Sequence, residues 1–151
     1  MGLDMYLKGK MYVSQYVDKE LHTQLNKITS ELGFNFPANE ISFEAAYWRK
    51  ANHIHKWFVD NVQEGVDNCG EYYVSRETLE ELVSACEDVL ADHSLAEELL
   101  PTQAGFFFGS TEYDDYYYYK DIQDTIDMIK PLIDPTNEKM QGLSFYYHSS
   151  W

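Results

Sequence analysis

The hydrophobic pattern changes its period near Lys50, and this limits how the middle of the chain can fold. Before that residue, apolar side chains alternate with their neighbours over residues 41–48, as in a strand with one buried face. After it, apolar residues recur at intervals of three and four, as on one side of a helix. We therefore predict a strand that ends shortly before Lys50 and a helix that runs from Lys50 to about Gln63.

Similar patterns predict the elements of the N-terminal part. Apolar residues alternate over residues 3–7, which predicts a first strand that continues after a turn at Gly9. A helix should follow, with Asp18 as its N-cap and Gly33 just past its end. Its apolar residues repeat at four, three and four positions, and they are Leu21, Leu25, Ile28 and Leu32.

The C-terminal half should add further strands and helices. Residues 71–74 predict a short strand, and Ser75 is placed to cap the helix that follows. Three consecutive phenylalanines within residues 105–109 predict a buried strand, because large apolar groups on both faces need cover. Ser110 or Thr111 should cap the last long helix.

A final strand over residues 143–148, at an edge of the sheet or closing it, completes the prediction. The fold class is α+β, with residues 1–151 forming one domain. We expect a mixed or antiparallel sheet of about five short strands packed with four helices.

The charge of the chain excludes several classes of partner. A formal charge of −15 disfavours direct binding to nucleic acid or to an anionic membrane, since both require clustered Lys and Arg. Neither a leader segment nor a long apolar run is visible, so we expect a cytoplasmic protein. Cys69 and Cys86 are too few for a disulfide framework and are read as reduced thiols.

An aromatic and basic patch over residues 47–58 is the strongest candidate for a binding surface. It holds two tryptophans, two histidines and three of the eleven basic residues. On a helix, Arg49, His53 and Trp57 would form one column that could hold a nucleotide-like anion. The alternative is that the tryptophans fill the core and the basic residues pair with carboxylates. The predicted ligand-binding residues are Trp48, Arg49, Asn52, His53, His55, Lys56, Trp57, Glu71 and Thr111.

Catalytic and metal sites have weaker support. Two histidines that lie two positions apart on a helix point in nearly opposite directions, so we predict no metal site at His53 and His55. No cofactor motif is present, and no catalytic residue is predicted. A thiolate mechanism with Cys69, His55 and Glu71 as its polar centre stays open as an alternative.

Several long motifs resemble a family of small phage and prophage proteins of unknown function. The resemblance covers nearly the whole chain, and its motifs are MGLDMYL from Met1, YWRKAN from Tyr47, IHKWF from Ile54, CGEYYVS from Cys69, LPTQ from Leu100 and FFFGSTEYD from Phe106. It implies a viral accessory protein that acts in the cytoplasm of an infected bacterium. It implies no activity, catalytic residue or cofactor.

The resemblance and the patch together suggest a function based on binding. We expect a homo-oligomeric counter-defence protein that sequesters a nucleotide-derived ligand or covers a host defence protein. One alternative is a small enzyme acting on a nucleotide or a similar small molecule. Another is an acidic decoy that mimics DNA toward a basic host protein.

Overall fold

Four strands form one antiparallel sheet in the computed structural model, which describes residues 2–151 and leaves Met1 outside. The strands are β1 (Asp4–Tyr12), β2 (Glu40–Arg49), β3 (Tyr72–Val74) and β4 (Leu143–Ser150). Their order across the sheet is β2-β1-β4-β3, and every neighbouring pair is antiparallel. The predicted α+β class is confirmed, with four strands within the described residues instead of about five.

Five α-helices accompany the sheet within residues 2–151. They are α1 (Lys19–Glu31), α2 (Asn52–Asn61), α3 (Arg76–Ala91), α4 (Ala96–Leu99) and α5 (Tyr118–Ile133). The helix predicted from the change of period is therefore confirmed, although α2 is shorter than the predicted span. Ser75 caps α3 by accepting a hydrogen bond from the amide of Thr78, as predicted.

The core lies on one face of the sheet. Side chains in β1 alternate between buried and partly exposed along most of the strand, because only one face is covered by helices. Seven of the ten residues of α2 are buried, and α3 and α5 bury their apolar stripes in the same cluster. The largest fully buried side chains include Tyr118, Tyr147, Phe58, Phe145 and Leu79.

The first two strands differ from the prediction in detail. No turn occurs at Gly9, which lies inside β1 under the ring of Phe43; an added Cβ there would come within 2.6 Å of that ring. The pairing of β1 with β2 shifts by one residue between Leu7 and Lys8, as at a β-bulge. Beyond this irregularity Trp48 is buried and Tyr47 is exposed.

Three predictions for the C-terminal half were wrong. The phenylalanines at 106–108 lie in a turn, where Phe106 is 95% exposed and only Phe108 is buried, so they do not cross the sheet. The last long helix begins at Tyr118, seven residues after Thr111. Strand β4 lies between β1 and β3 in the interior of the sheet, because both sides of it find a hydrogen-bonding partner.

Helix α1 forms where predicted but stays outside the core. Gly33 follows its end with a φ of 88°, the left-handed conformation that glycine tolerates. The carboxylate of Asp18 does not cap it and instead accepts a hydrogen bond from the amide of Ser14. None of the residues described in α1 is buried. The apolar stripe on this helix is therefore not explained by the core of a single chain.

No helix in the described part of the chain is long and apolar enough to cross a membrane.

A buried hydrogen bond ties β2 to α5, and its loss should destabilise the fold. The indole N–H of Trp48 donates to the hydroxyl of Thr125 at 2.8 Å. Thr125→Val keeps the shape of the side chain but leaves that buried donor unpaired, which costs about 1–3 kcal/mol. We expect the free energy of unfolding, measured in urea, to fall by that amount. Thr125→Ser retains the acceptor and is the control; an equal or larger loss in Thr125→Ser would contradict this account.

Candidate functional site

A cavity of about 450 Å³ opens where β2 passes into α2 and where α5 begins. Its size falls within the range typical of small-molecule sites. We call it the α2 cavity, and the residues that line it come from three parts of the chain. They are Arg49, Lys50, Asn52, His53, Gly109, Ser110, Glu112, Tyr117, Tyr118 and Asp121.

Two helices begin at the α2 cavity. Neither N-cap residue caps its helix through its own side chain, but the carboxylate of Asp114 accepts a hydrogen bond from the amide of Tyr117 at 2.7 Å just before α5. Asn52 and His53 belong to the first turn of α2, and Tyr118 is the first residue of α5. Helix N-termini carry amides without intrahelical partners and a partial positive charge. The side chain of Ala51 at the N-cap of α2 has no acceptor to offer, so the start of this helix favours an anion.

Asn52 holds the loop that forms the opposite wall of the cavity. Its amide nitrogen donates to the carbonyl oxygens of Phe108 at 3.0 Å and Ser110 at 2.7 Å. Its side-chain oxygen accepts from the amide of Gln103 at 2.9 Å. Because Asn52 is buried and uses both ends of its amide, it positions the wall and is not available to a ligand.

The backbone approaches itself closely at the edge of the cavity. Lys50 has a φ of 61° and Gly109 a φ of 86°. An added Cβ on Gly109 would lie 3.1 Å from the Cβ of Lys50. Glycine is therefore required at position 109 for two reasons, conformation and space. A lysine in the left-handed region is uncommon and costs free energy. Strained backbone conformations of this kind cluster at functional sites.

Arg49 reaches the cavity from the end of β2. Its guanidinium donates to Asp4 Oδ1 at 2.7 Å, and the hydroxyl of Tyr47 donates to the same oxygen at 2.5 Å. The hydrogen bond from Tyr47, together with Arg49, holds the pKa of Asp4 below its ordinary value. The side chain of Arg49 remains 53% exposed, and its guanidinium has five N–H donors, so donors are left for a ligand.

His53 is a buried histidine with an unsatisfied nitrogen. The side chain is 3% exposed, and its ring lies 4.3 Å from that of Tyr118. Nε2 is buried and has no hydrogen-bond partner among the described residues. Burial lowers the pKa of His53 to about 3, so the imidazole is neutral at physiological pH. Buried polar atoms without partners are rare in folded proteins; Asn26, Gln63 and Ser149 also have one, and the nitrogen of His53 is closed to solvent.

Asp121 is the acidic group of the cavity with the largest perturbation. Burial raises its pKa to about 7, and the negative charges of Asp124 and Asp114 act in the same direction. The carboxyl group is therefore partly protonated at neutral pH and can donate as well as accept a hydrogen bond. Glu112 contributes the other acidic group of the lining.

The cavity brings together only some of the residues predicted from the patch. Arg49, Asn52 and His53 line it, but the predicted helical column does not exist, because Arg49 ends β2 and precedes α2. Trp57 is 9% exposed and belongs to the core. Trp48 is buried against α5 through Thr125, as the core alternative predicted for both tryptophans.

The remaining predicted residues lie elsewhere. Lys56 pairs with Asp60 on the outer side of α2 at 2.7 Å. Glu71 pairs with Lys8 and Lys10 across the sheet. The carbonyl oxygen of Thr111 accepts a hydrogen bond from the hydroxyl of Thr102 at 3.1 Å, and its side chain does not line the α2 cavity.

His55 takes part in a buried structural network. Its Nδ1 lies 2.7 Å from the hydroxyl of Tyr147, and its Nε2 lies 2.9 Å from Asp67 Oδ2. The indole of Trp151 donates to the other oxygen of Asp67 at 3.1 Å. Both ring nitrogens of His55 are thus occupied, and the thiolate mechanism has no hydrogen bond linking His55 to Cys69 or Glu71 within residues 2–151.

The two histidines of α2 diverge, as the helical spacing predicted. His53 contacts Tyr118 of α5 and His55 contacts Tyr147 of β4. Across residues 2–151, no three His, Cys, Asp or Glu side chains are grouped so that they could hold a metal ion.

Several residues of the cavity were not predicted as ligand-binding. Lys50 is the predicted start of a helix and Ser110 a possible cap. The tyrosine run over residues 116–119 suits a protein surface or the rim of a ligand site, and the sequence predicts no role for Asp121. Their meeting point depends on Asn52 and on the path of residues 103–117. The glycine and serine after the three phenylalanines were the one available signal, because such a turn can face a helix N-terminus.

No protein-family model, curated protein or solved structure matches the chain. The resemblance to phage and prophage proteins therefore stays a prediction, and only the contacts within the site bear on its function.

The raised pKa of Asp121 should make stability depend on pH. Between the ordinary value of 3.8 and about 7, the folded chain keeps a proton that the unfolded chain has lost, so stability falls as pH rises through this range. Asp121→Asn has no titrating carboxyl at this position, so it should not lose stability in this way as the pH rises. Above pH 7, we expect the free energy of unfolding of this variant to exceed that of the wild type by about 1–2 kcal/mol, after allowance for partial exposure.

The same variant should match the wild type near pH 3, below both pKa values, where the carboxyl is protonated in both states. Urea unfolding across this pH range measures the difference. Asp127→Asn removes an exposed carboxylate from the same helix and serves as the control. A gain in Asp121→Asn that is the same at both ends of the range would contradict the assignment.

Proposed function

We propose that the protein binds a small anionic ligand of nucleotide-like chemistry in the α2 cavity. The observation that carries this proposal is the convergence of Arg49, Lys50 and the N-terminus of α2 on one cavity, which His53 also lines. Function by binding was also expected from the aromatic and basic patch. The cavity contains the basic residues at the start of that patch, Arg49 and Lys50. Its aromatic lining consists of Tyr117 and Tyr118 instead of the two tryptophans.

The charge distribution supports an anion as the ligand. A chain with a formal charge of −15 repels anions over most of its surface. Two basic side chains beside a helix N-terminus give the cavity groups that attract an anion, in the presence of Asp4, which pairs with Arg49, and of Glu112 and Asp121 in the lining. The bifurcated donors of Arg49 suit a phosphate or carboxylate, and Lys50 adds a compact positive charge.

The other wall supports a ligand that also has a ring and polar edges. Tyr117 and Tyr118 line the cavity, and Tyr117 is 58% exposed, so its ring can stack on a base or sugar. Asp121 and Glu112 can accept hydrogen bonds from amino groups of a base. A ligand with both a phosphate and a base would use both the basic and the acidic side chains of the lining.

An enzyme acting on the same ligand is the second candidate function. The observation that favours it is Asp121, whose pKa of about 7 suits a general acid or base. This pKa supports a catalytic alternative that uses the α2 cavity, whereas the alternative predicted from the sequence used His55, Cys69 and Glu71. Conversion of a bound nucleotide, lost in Asp121→Asn with binding retained, would favour the enzyme over the binding protein.

The biological role that we propose is counter-defence inside an infected bacterium. Its support is the resemblance to phage and prophage proteins together with a cavity suited to a nucleotide signal. Sequestration would require only tight binding, which the α2 cavity can provide without any catalytic step. The decoy alternative needs no cavity, and it would leave the unpartnered His53 without a purpose.

Ligand binding should depend on the basic side chains of the cavity. We expect Arg49→Gln and Lys50→Gln each to weaken binding about tenfold, because each removes a charged donor worth roughly 1.5 kcal/mol. The measurement is native mass spectrometry and titration calorimetry with inorganic phosphate and a panel of linear and cyclic nucleotides. Lys56→Gln removes one charge and one ion pair outside the cavity and is the matched control. Equal binding by all three variants, or no binding by the wild type, would refute the proposal.

His53 should contribute to binding while costing stability in the empty protein. An unpaired buried nitrogen costs about 1–3 kcal/mol, and leucine has nearly the volume of histidine without the polar atoms. We expect His53→Leu to leave the melting temperature of the ligand-free protein unchanged or higher. The rise in melting temperature caused by ligand should be much smaller than in the wild type. A large fall in stability without ligand would instead identify His53 as a core residue.

A further inference from the structure

The connection between β1 and β2 exposes more apolar surface than a single chain needs. We call residues 13–39, which include α1, the arm. Seven of the fifteen exposed large apolar side chains found in residues 2–151 lie in the arm or directly before it. They are Tyr12, Tyr16, Val17, Ile28, Leu32, Phe34 and Phe36.

Helix α1 carries the apolar stripe of a helix that packs against a partner. Leu21, Leu25, Ile28 and Leu32 follow one another at four, three and four positions, so they share one face. Leu21 and Leu25 are only partly buried, and Ile28 and Leu32 are exposed. No strand or other helix in the described chain packs extensively along α1. Helix α1 thus has the apolar pattern of a helix that packs against a neighbour, but no element of the described chain covers this stripe.

The charge of the arm differs from that of the rest of the chain. Its basic residues are Lys19 and Lys27, and its acids are Asp18, Glu20 and Glu31. This gives a formal charge of −1, whereas the whole chain carries −15. Two copies of so acidic a protein repel each other over most of their surfaces, and this repulsion is weaker at the arm than over the chain as a whole.

The exposed area is sufficient for a dimer. Aromatic side chains bury about 150–250 Å² each, so the four exposed aromatic residues of this region together with the three aliphatic ones offer on the order of 800 Å². A standard interface buries about 800 Å² per partner. Monomeric proteins rarely expose contiguous apolar patches larger than a few hundred Å².

We propose that the arm is a self-association surface and that its occupant is a second copy of this chain. In the dimer, α1 of one copy packs antiparallel to α1 of the other across a two-fold axis, because a two-fold places the same patch on both partners. The phenylalanines after α1 cover the ends of the helix pair. This interface is independent of the α2 cavity, none of whose lining residues belongs to the arm.

Sedimentation equilibrium of the full chain over a range of concentrations tests the proposal. We expect a reversible dimer for the wild type and a dissociation constant more than about tenfold higher for Ile28→Gln with Leu32→Gln, as for interface hot spots. Val66→Gln is the matched control, because Val66 and Ile28 are both 53% exposed and Val66 lies outside the arm. Far-UV circular dichroism verifies that α1 is retained, and Phe36→Ser, outside the helix, provides a second variant.

Salt gives an independent readout. Since the proposed interface is apolar and the two copies repel, added salt should strengthen the dimer by screening that repulsion. The proposal would be overturned if the wild type stays monomeric. The same conclusion would follow if the monomer binds a different protein through the arm. A dimer that salt dissociates, or that neither the arm variants nor Phe36→Ser weaken, would also overturn it.

Discussion

The packing of α2 against β4 is the interaction on which the rest of the structure depends. The rings of Phe58 and Tyr147 stack at a centroid distance of 4.0 Å with an interplanar angle of 9°. The hydroxyl of the same tyrosine meets His55 at 2.7 Å inside the core. An apolar stack and a buried hydrogen bond on one side chain fix both the depth and the rotation of α2. The first turn of that helix is therefore held at the edge of β2.

From that position, α2 organises the candidate site in two ways. Asn52 fastens residues 103–110 to the start of the helix through three hydrogen bonds. His53 is turned away from β4 toward α5, where it contacts Tyr118. His53 and His55 lie two residues apart in α2. Both ring nitrogens of His55 have partners, whereas Nε2 of His53 has none among the described residues. One histidine thus stabilises the fold, and the other leaves a buried nitrogen without a partner among the described residues.

The two proposals place function on separate parts of the molecule. The α2 cavity is built from the rigid core elements, as a preorganised binding site should be. Helix α1 of the arm contributes no buried residue to that core, and Val13, at the start of the arm, is the apolar residue of the arm that is buried. Such a division allows self-association to change without altering the cavity. It also explains why a chain with so many acids keeps a nearly neutral segment that is rich in exposed apolar residues.

Local pattern determined the α+β class, the strand and helix around Lys50, the cap at Ser75 and the divergence of the two histidines, because these depend on side-chain spacing along the chain. Only the tertiary structure decided that residues 106–108 form a turn, that β4 lies inside the sheet and that Arg49 meets Ser110 and Asp121 at one cavity. Apolar periodicity shows which residues can be buried, but it does not specify their partners. Those are chosen by packing between segments far apart in sequence, here by Tyr147 against α2 and by Asn52 against the loop.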